Sequence, residues 1–155
     1  KGLFQGKPQI LCESNKTRPD LLLWAKQTFR QMGMYLRFME AEAHDKHMAY
    51  VSHLSHISSF MLGKTVLEKE EDENNIFDLA GSGFESTVRL AKSSPAMWTP
   101  IFEQNKDNVV ETLDAYIQNL EHFKSLLVKD DYSALFQEMK NTNQLTSILN
   151  GISKK

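Results

Sequence analysis

Cysteine is nearly missing from this chain. Cys12 is the single one, so no intramolecular disulfide can form and a disulfide-stapled secreted scaffold is excluded. Long apolar runs are missing as well: none approaches the roughly 20 residues needed to cross a bilayer. Residues 1–8 (KGLFQGKP) have neither the apolar region nor the small-residue cleavage site of a signal peptide. They also lack an initiator Met and lead straight into a strand-like segment, so the chain is expected to be cut from something longer. Neither sign of charge is in excess. The 18 basic and 20 acidic residues leave a net charge of -2, which argues against a large nucleic-acid footprint and against a basic membrane-surface domain. With 155 residues, 41% apolar and 25% charged, the chain has an ordinary globular composition, with room for one domain and a fragment of a second.

The first 40 residues read as strand, helix, strand. Residues 8–12 (PQILC) form the first strand, and Arg18-Pro19-Asp20 opens a helix with Pro near its first turn. Leu21, Leu22, Trp24, Ala25 and Phe29 supply its apolar face, and Gly33 stands where a left-handed cap is wanted. Residues 34–39 (MYLRFM) alternate as a second strand should. A parallel sheet this small is an orphan piece of something larger. Everything after residue 40 reads as helix. One helix is expected over 44–62, then an acidic connector over 68–75 serving as a solvated face or loop. A short helix follows near 86–91, then a long one over 94–129, and a last one over 132–149 stopped by Asn150-Gly151. On the long helix Val109, Leu113, Tyr116, Leu120, Phe123 and Leu127 repeat at spacings of 4, 3, 4, 3 and 4, a heptad seam. It fits an intramolecular bundle or a contact between subunits.

Residues 48–63 contain no Asp, Glu, Lys or Arg, which reads as a helix buried all round. At about 100° per residue, Tyr50, Val51, Leu54, Ile57 and Met61 form an apolar stripe. The opposite face collects Ala49, Ser52, His53, His56 and Ser59. Hydroxyls and imidazoles on a buried face suit the wall of a polar ligand pocket; a pair of core histidines bonded to backbone is the alternative. Four histidines, His44, His47, His53 and His56, raise a zinc reading, but they fall near 0°, 300°, 180° and about 120° on a straight helix and no HExxH or Cys pair accompanies them. No metal is expected. Gly81-Ser82-Gly83-Phe84-Glu85-Ser86 starts like a dinucleotide fingerprint, yet Ser86 stands where its third Gly belongs and no βαβ unit follows. The glycines are better read as a turn into a helix carrying Arg89, whose apolar neighbours Val88, Leu90 and Ala91 suggest a partly buried carboxylate-binding role. Trp98 is by default a packing residue.

Together these segments resemble the C-terminal region of prephenate dehydrogenases. Residues 44–56 (HDKHMAYVSHLSH) are similar to that family's HD…VSHLPH run, Gly83-Phe84 with Arg89-Leu90-Ala91-Lys92-Ser93 to its GGGF…TRIA segment, and Pro95-Ala96-Met97-Trp98 with Asn105 to its P-x-MW…N segment. The resemblance spans about residues 3 to 128. It implies a mainly α fold: residues 1–40 as the β-α-β tail of an NAD-binding Rossmann domain, and residues 41–155 as an all-helical prephenate-binding and dimerisation domain, like the C-terminal domain of 6-phosphogluconate dehydrogenase. It further implies a cytoplasmic homodimer that oxidatively decarboxylates prephenate with NAD to 4-hydroxyphenylpyruvate in tyrosine biosynthesis. His53 and His56 would face the substrate, Arg89 would pair with a substrate carboxylate, and Trp98 would close the pocket, from its own or the partner subunit. The family's catalytic His and its cofactor-binding residues would lie in sequence this chain does not contain, leaving it inactive alone. Glu85 and Ser86 depart from the basic and acidic residues that often follow Gly-Phe in the family. That keeps arogenate dehydrogenase open as an alternative, alongside a helical dimerisation module without activity.

Overall fold

The computed structural model describes residues 2–152; residue 1 and residues 153–155, the outermost ends of the two expected domains, lie outside the described residues. The chain divides into two compact units. One comprises residues 1–44 with 117–155, the other residues 45–116.

In the first unit, β1 (Pro8–Cys12) and β2 (Tyr35–Met39) pair in parallel, with Pro8 opposite Tyr35 and Cys12 opposite Met39. The crossover is helix α1 (Pro19–Gln31), which starts at Pro19, where the missing N–H costs no helical hydrogen bond. Gly33 ends the crossover at φ +80°, a backbone angle that favours glycine. Of the expected apolar face of α1, Leu21 and Trp24 are exposed. The unit also holds the later part of α6 (Lys106–Val128), α7 (Tyr132–Thr142) and α8 (Leu145–Ile152). The expected single last helix is thus two, and Gly151 lies within α8 rather than stopping it.

The second unit is built on a long helical run. Helix α2 (Ala41–Met48) passes through a π-helical turn, Ala49–His53, into α3 (Leu54–Glu73). Then come a 3-10 turn (Phe77–Leu79), α4 (Ser82–Val88), a second 3-10 turn (Arg89–Lys92), and α5 (Pro95–Gln104). The expected long helix over 94–129 is broken at Asn105, whose φ of -115° and ψ of 28° leave the helical region. The heptad seam begins only at Val109, inside α6, and the residues on both sides of Asn105 read as helical, so no pattern marks the break.

Residues 68–73 are the last turns of α3, not a connector. The chain turns only at Asn74 and Asn75, both at positive φ, a conformation Asn tolerates better than most residues. Glu70 holds the turn: its carboxylate accepts from the backbone N–H groups of Asn75 (3.0 Å), Ile76 (2.7 Å) and Phe77 (3.2 Å). It satisfies the orphan donors of the 3-10 turn as a capping residue does at a helix start. Glu70→Ala should therefore lower stability by about 1–2 kcal/mol, with Glu70→Gln losing less, as read by urea unfolding at pH 7. A Glu70→Ala variant with an unchanged midpoint would show the three contacts to be incidental.

Candidate functional site

The uncharged stretch over 48–63 is not buried all round. Its apolar stripe is the open side, with Val51 71% exposed and Tyr50 and Met61 exposed as well. The small and polar face is the one packed inward: Ala49 is 0% exposed, Ser59 2% and His53 7%. Ser59 Oγ donates to the Thr87 carbonyl at 2.6 Å, fastening α3 to α4. This inversion of the usual amphipathic rule explains why the sequence avoids charge here: the inward face needs compact groups that can hydrogen-bond.

Three of the four expected site residues come together on that face. The His56 ring stacks on Trp98, with centroids 3.5 Å apart and planes 27° apart. His53 meets the same indole edge-on at 6.0 Å, and Phe102 completes the aromatic group 5.5 Å from Trp98 and 6.1 Å from His53. His56 Nδ1 lies 3.0 Å from the Ser52 carbonyl. A carbonyl can only accept, so Nδ1 carries the proton and Nε2 of the neutral ring keeps a lone pair. His53 Nδ1 instead lies 3.2 Å from Asn105 Nδ2. His56 is bonded to backbone and His53 to a side chain, and both rings pack against the same indole.

Arg89 stands apart from this group. It opens the 3-10 turn after α4 and is exposed rather than partly buried, without an ion pair or hydrogen bond among the described residues. A cavity of about 560 Å³ opens beside the cluster, walled by Ile57, Phe60, Met61, Leu67, Ala91 and Phe102, with Lys64, Glu68 and Glu71 along it. Of the four expected residues only Trp98 lines it. Among the described residues no group of three or more His, Cys, Asp or Glu could hold a metal ion, and no helix is long and apolar enough to cross a membrane.

A dinucleotide finds no cradle in the βαβ piece. After β1 the chain turns through Glu13 at φ 49°, paired with Lys16 at 2.6 Å, and on to Arg18. A pyrophosphate needs glycines for close backbone approach and a helix N-terminus without a carboxylate in the way. The residues present do not fit it.

Asn105 enters the sequence reading only through the P-x-MW…N resemblance, which gives it no role. Its amide Nδ2 donates to the Asp45 carbonyl at 2.8 Å and faces His53, while its Oδ1 accepts from Asn108 Nδ2 at 2.8 Å. The signal that points to it is that segment, in which Asn105 stands seven residues after Trp98.

A parallel βαβ unit followed by a helical domain with an inward His–Trp cluster defines the class. The family described as "Prephenate dehydrogenase, dimerization domain" matches residues 40–141, and the chain belongs to that family. It is 27% identical over 142 residues to a prephenate dehydrogenase of Bacillus subtilis, covering 89% of this chain and 37% of that protein. With a cyclohexadienyl dehydrogenase of Zymomonas mobilis it shares 25% over 143 residues, covering 92% and 49%. Among solved structures, a prephenate dehydrogenase from A. aeolicus in complex with hydroxyphenyl propionate and NAD+ superposes with a TM-score of 0.87 at 32% identity, covering 96% of this chain and 52% of that one. Synechocystis arogenate dehydrogenase gives 0.82 at 25% identity, covering 96% and 54%. The chain thus spans less than half the length of these two curated relatives.

Trp98 is the hub of the cluster, 8% exposed and touching three other rings. Trp98→Ala should cost about 3–5 kcal/mol of stability. Trp98→Phe, which keeps a ring against His56, should lose less than half of that in the same denaturant titration. Equal losses for the two variants would mean that the stack contributes nothing beyond filled volume.

Proposed function

We propose that this chain is the substrate-binding and dimerisation part of a prephenate dehydrogenase, with residues 41–155 as the helical domain and residues 1–40 as the tail of an NAD-binding domain. The observation that carries this is the His53–His56–Trp98 cluster on an uncharged, inward helix face, in a chain whose residues 40–141 match that family. The reaction is the oxidative decarboxylation of prephenate to 4-hydroxyphenylpyruvate on the way to tyrosine. Hydride acceptance belongs to NAD, held by residues outside this chain, as does the base or acid at the ring hydroxyl.

What this chain contributes is recognition. The two imidazoles and the indole form a rigid aromatic wall able to exclude water from one side of a cyclohexadiene ring and to hydrogen-bond its polar groups. Arg89, exposed and unpaired among the described residues, offers a planar fork for a carboxylate. Glu85, four residues earlier on the same helical path, would repel a second carboxylate and attract an ammonium group. That observation, with the likeness to the Synechocystis arogenate dehydrogenase, favours arogenate as the second reading. The two substrates differ at that group, keto against amino, so comparing their kcat/KM values in the full-length enzyme separates the readings.

In the full-length enzyme Arg89→Ala should lower kcat/KM by about 10- to 150-fold, the worth of one charged hydrogen bond. Most of the loss should fall in KM, because a carboxylate anchored away from the reacting carbon is held alike in ground and transition states. Arg89→Lys should recover part. A wild-type KM in a folded Arg89→Ala enzyme would remove Arg89 from the site.

The homodimer is supported by the seam on α6. Its first members, Val109, Leu113 and Tyr116, are buried or half-buried, whereas Leu120, Phe123 and Leu127 are exposed. Phe136 and Met139 on α7 are exposed too, and helical apolar surface of this kind marks an interface. Light scattering at micromolar concentration should give a dimer, and the double variant Leu120→Asp with Phe123→Asp should give a folded monomer. A dimer unaffected by both charges would place the interface elsewhere.

A further inference from the structure

We propose that Asn105 is a positioning residue that fixes the tautomer of His53, a role that rests on the functional reading above and extends it to a residue outside the substrate contacts. A side-chain amide can be turned either way, but here its orientation is fixed independently of the histidine. The Asp45 carbonyl, 2.8 Å from Nδ2, can only accept, and Asn108 Nδ2, 2.8 Å from Oδ1, donates. The Asp45 carbonyl demands the NH2 group on the side where it stands, and the Asn108 amide is turned to match. One of its hydrogens serves Asp45. The other points at His53 Nδ1, 3.2 Å away.

A nitrogen that faces an N–H donor must present its lone pair, so Nδ1 of His53 is unprotonated and the proton of the neutral ring sits on Nε2. His56 is locked the opposite way by the Ser52 carbonyl. The two rings against Trp98 therefore carry opposite hydrogen-bonding characters at Nε2, an N–H on His53 and a lone pair on His56. With Asn105 only 9% exposed and His53 7%, water does not easily replace the amide, and the preference is set by the protein. Asn105 also marks the break between α5 and α6, so the residue that ends one helix is the one that orients the ring.

The test is spectroscopic and is made on the full-length protein labelled with 15N-histidine. Two-bond 1H–15N spectra of the wild type should show His53 with an unprotonated Nδ1 and a protonated Nε2. Asn105→Asp, nearly the same shape but able only to accept at neutral pH, should put a proton on His53 Nδ1. Asn105→Leu should leave the ring in a mixture of tautomers and lower kcat/KM for prephenate by about 5- to 150-fold, the cost of leaving a buried polar partner unpaired. A wild-type spectrum with the proton on Nδ1 overturns the proposal outright, whether or not the variants fold. So does a folded Asn105→Asp protein whose His53 keeps the wild-type pattern, or an Asn105→Leu enzyme of unchanged kcat/KM. A wild-type protein inactive toward both prephenate and arogenate would instead defeat the functional reading, while the spectra still decide the role of Asn105.

Discussion

Much of the 45–116 unit depends on one primary amide. Asn105 reaches back across sixty residues to the Asp45 carbonyl in α2, turns its second hydrogen to His53 in the π-turn, and takes a hydrogen bond from Asn108 in α6. The α2–π-turn run and the start of α6, distant in sequence, are thereby held to one small group whose donors and acceptor are all used. A π-turn opens the regular ladder of helical hydrogen bonds, so the chain around Ala49–His53 needs outside support to keep its geometry. The Asn105 amide supplies it at His53. Polar networks of this sort are most effective when every member is satisfied, and this one leaves no part of the amide idle.

The strand-helix-strand start, the helical remainder and the family were legible in the sequence, because each has a local cause: alternation in residues 34–39, Pro19 at a helix start, Gly33 at a positive φ, and a specific histidine run. The breaks were not. Asn105 breaks the helix just before the heptad seam begins at Val109, between residues that read as helical on both sides, and the π-turn leaves no trace in composition. The acidic run over 68–73 looked like solvated loop because charge density says nothing about a single carboxylate, Glu70, reaching forward to three backbone donors. In the candidate site, the small and polar face over residues 49–59 is buried as expected, but the helix is not buried all round. An apolar stripe is usually the buried one; here Ala49, His53 and Ser59 take that place and Val51 stands open.

The open apolar surface has its own logic. The few apolar side chains well buried among the described residues include Ala49, Trp98, Val109, Leu126 and Leu135, whereas Leu120, Phe123, Phe136, Ile148 and Leu149 remain exposed. A chain of this size has enough apolar material for a larger core. Keeping so much of it outside fits a domain whose stability is completed by association. The same economy appears in the βαβ piece, where Leu21 and Trp24 of α1 face outward and the strand-to-helix turn offers no seat for a pyrophosphate.

The π-turn has a consequence for how such chains can vary in length. It holds one residue more than a continuous α-helix would use for the same path. Deleting one residue of the turn other than His53 would heal the backbone into a regular helix and leave the residues after it on the same path. Deleting Leu54 or Ser55 would instead rotate His56 by about 100° and shift it by about 1.5 Å relative to His53, swinging it off Trp98. The spacing between the two histidines is therefore dictated by the ring stack, and an alignment gap can fall at the turn but not between the rings.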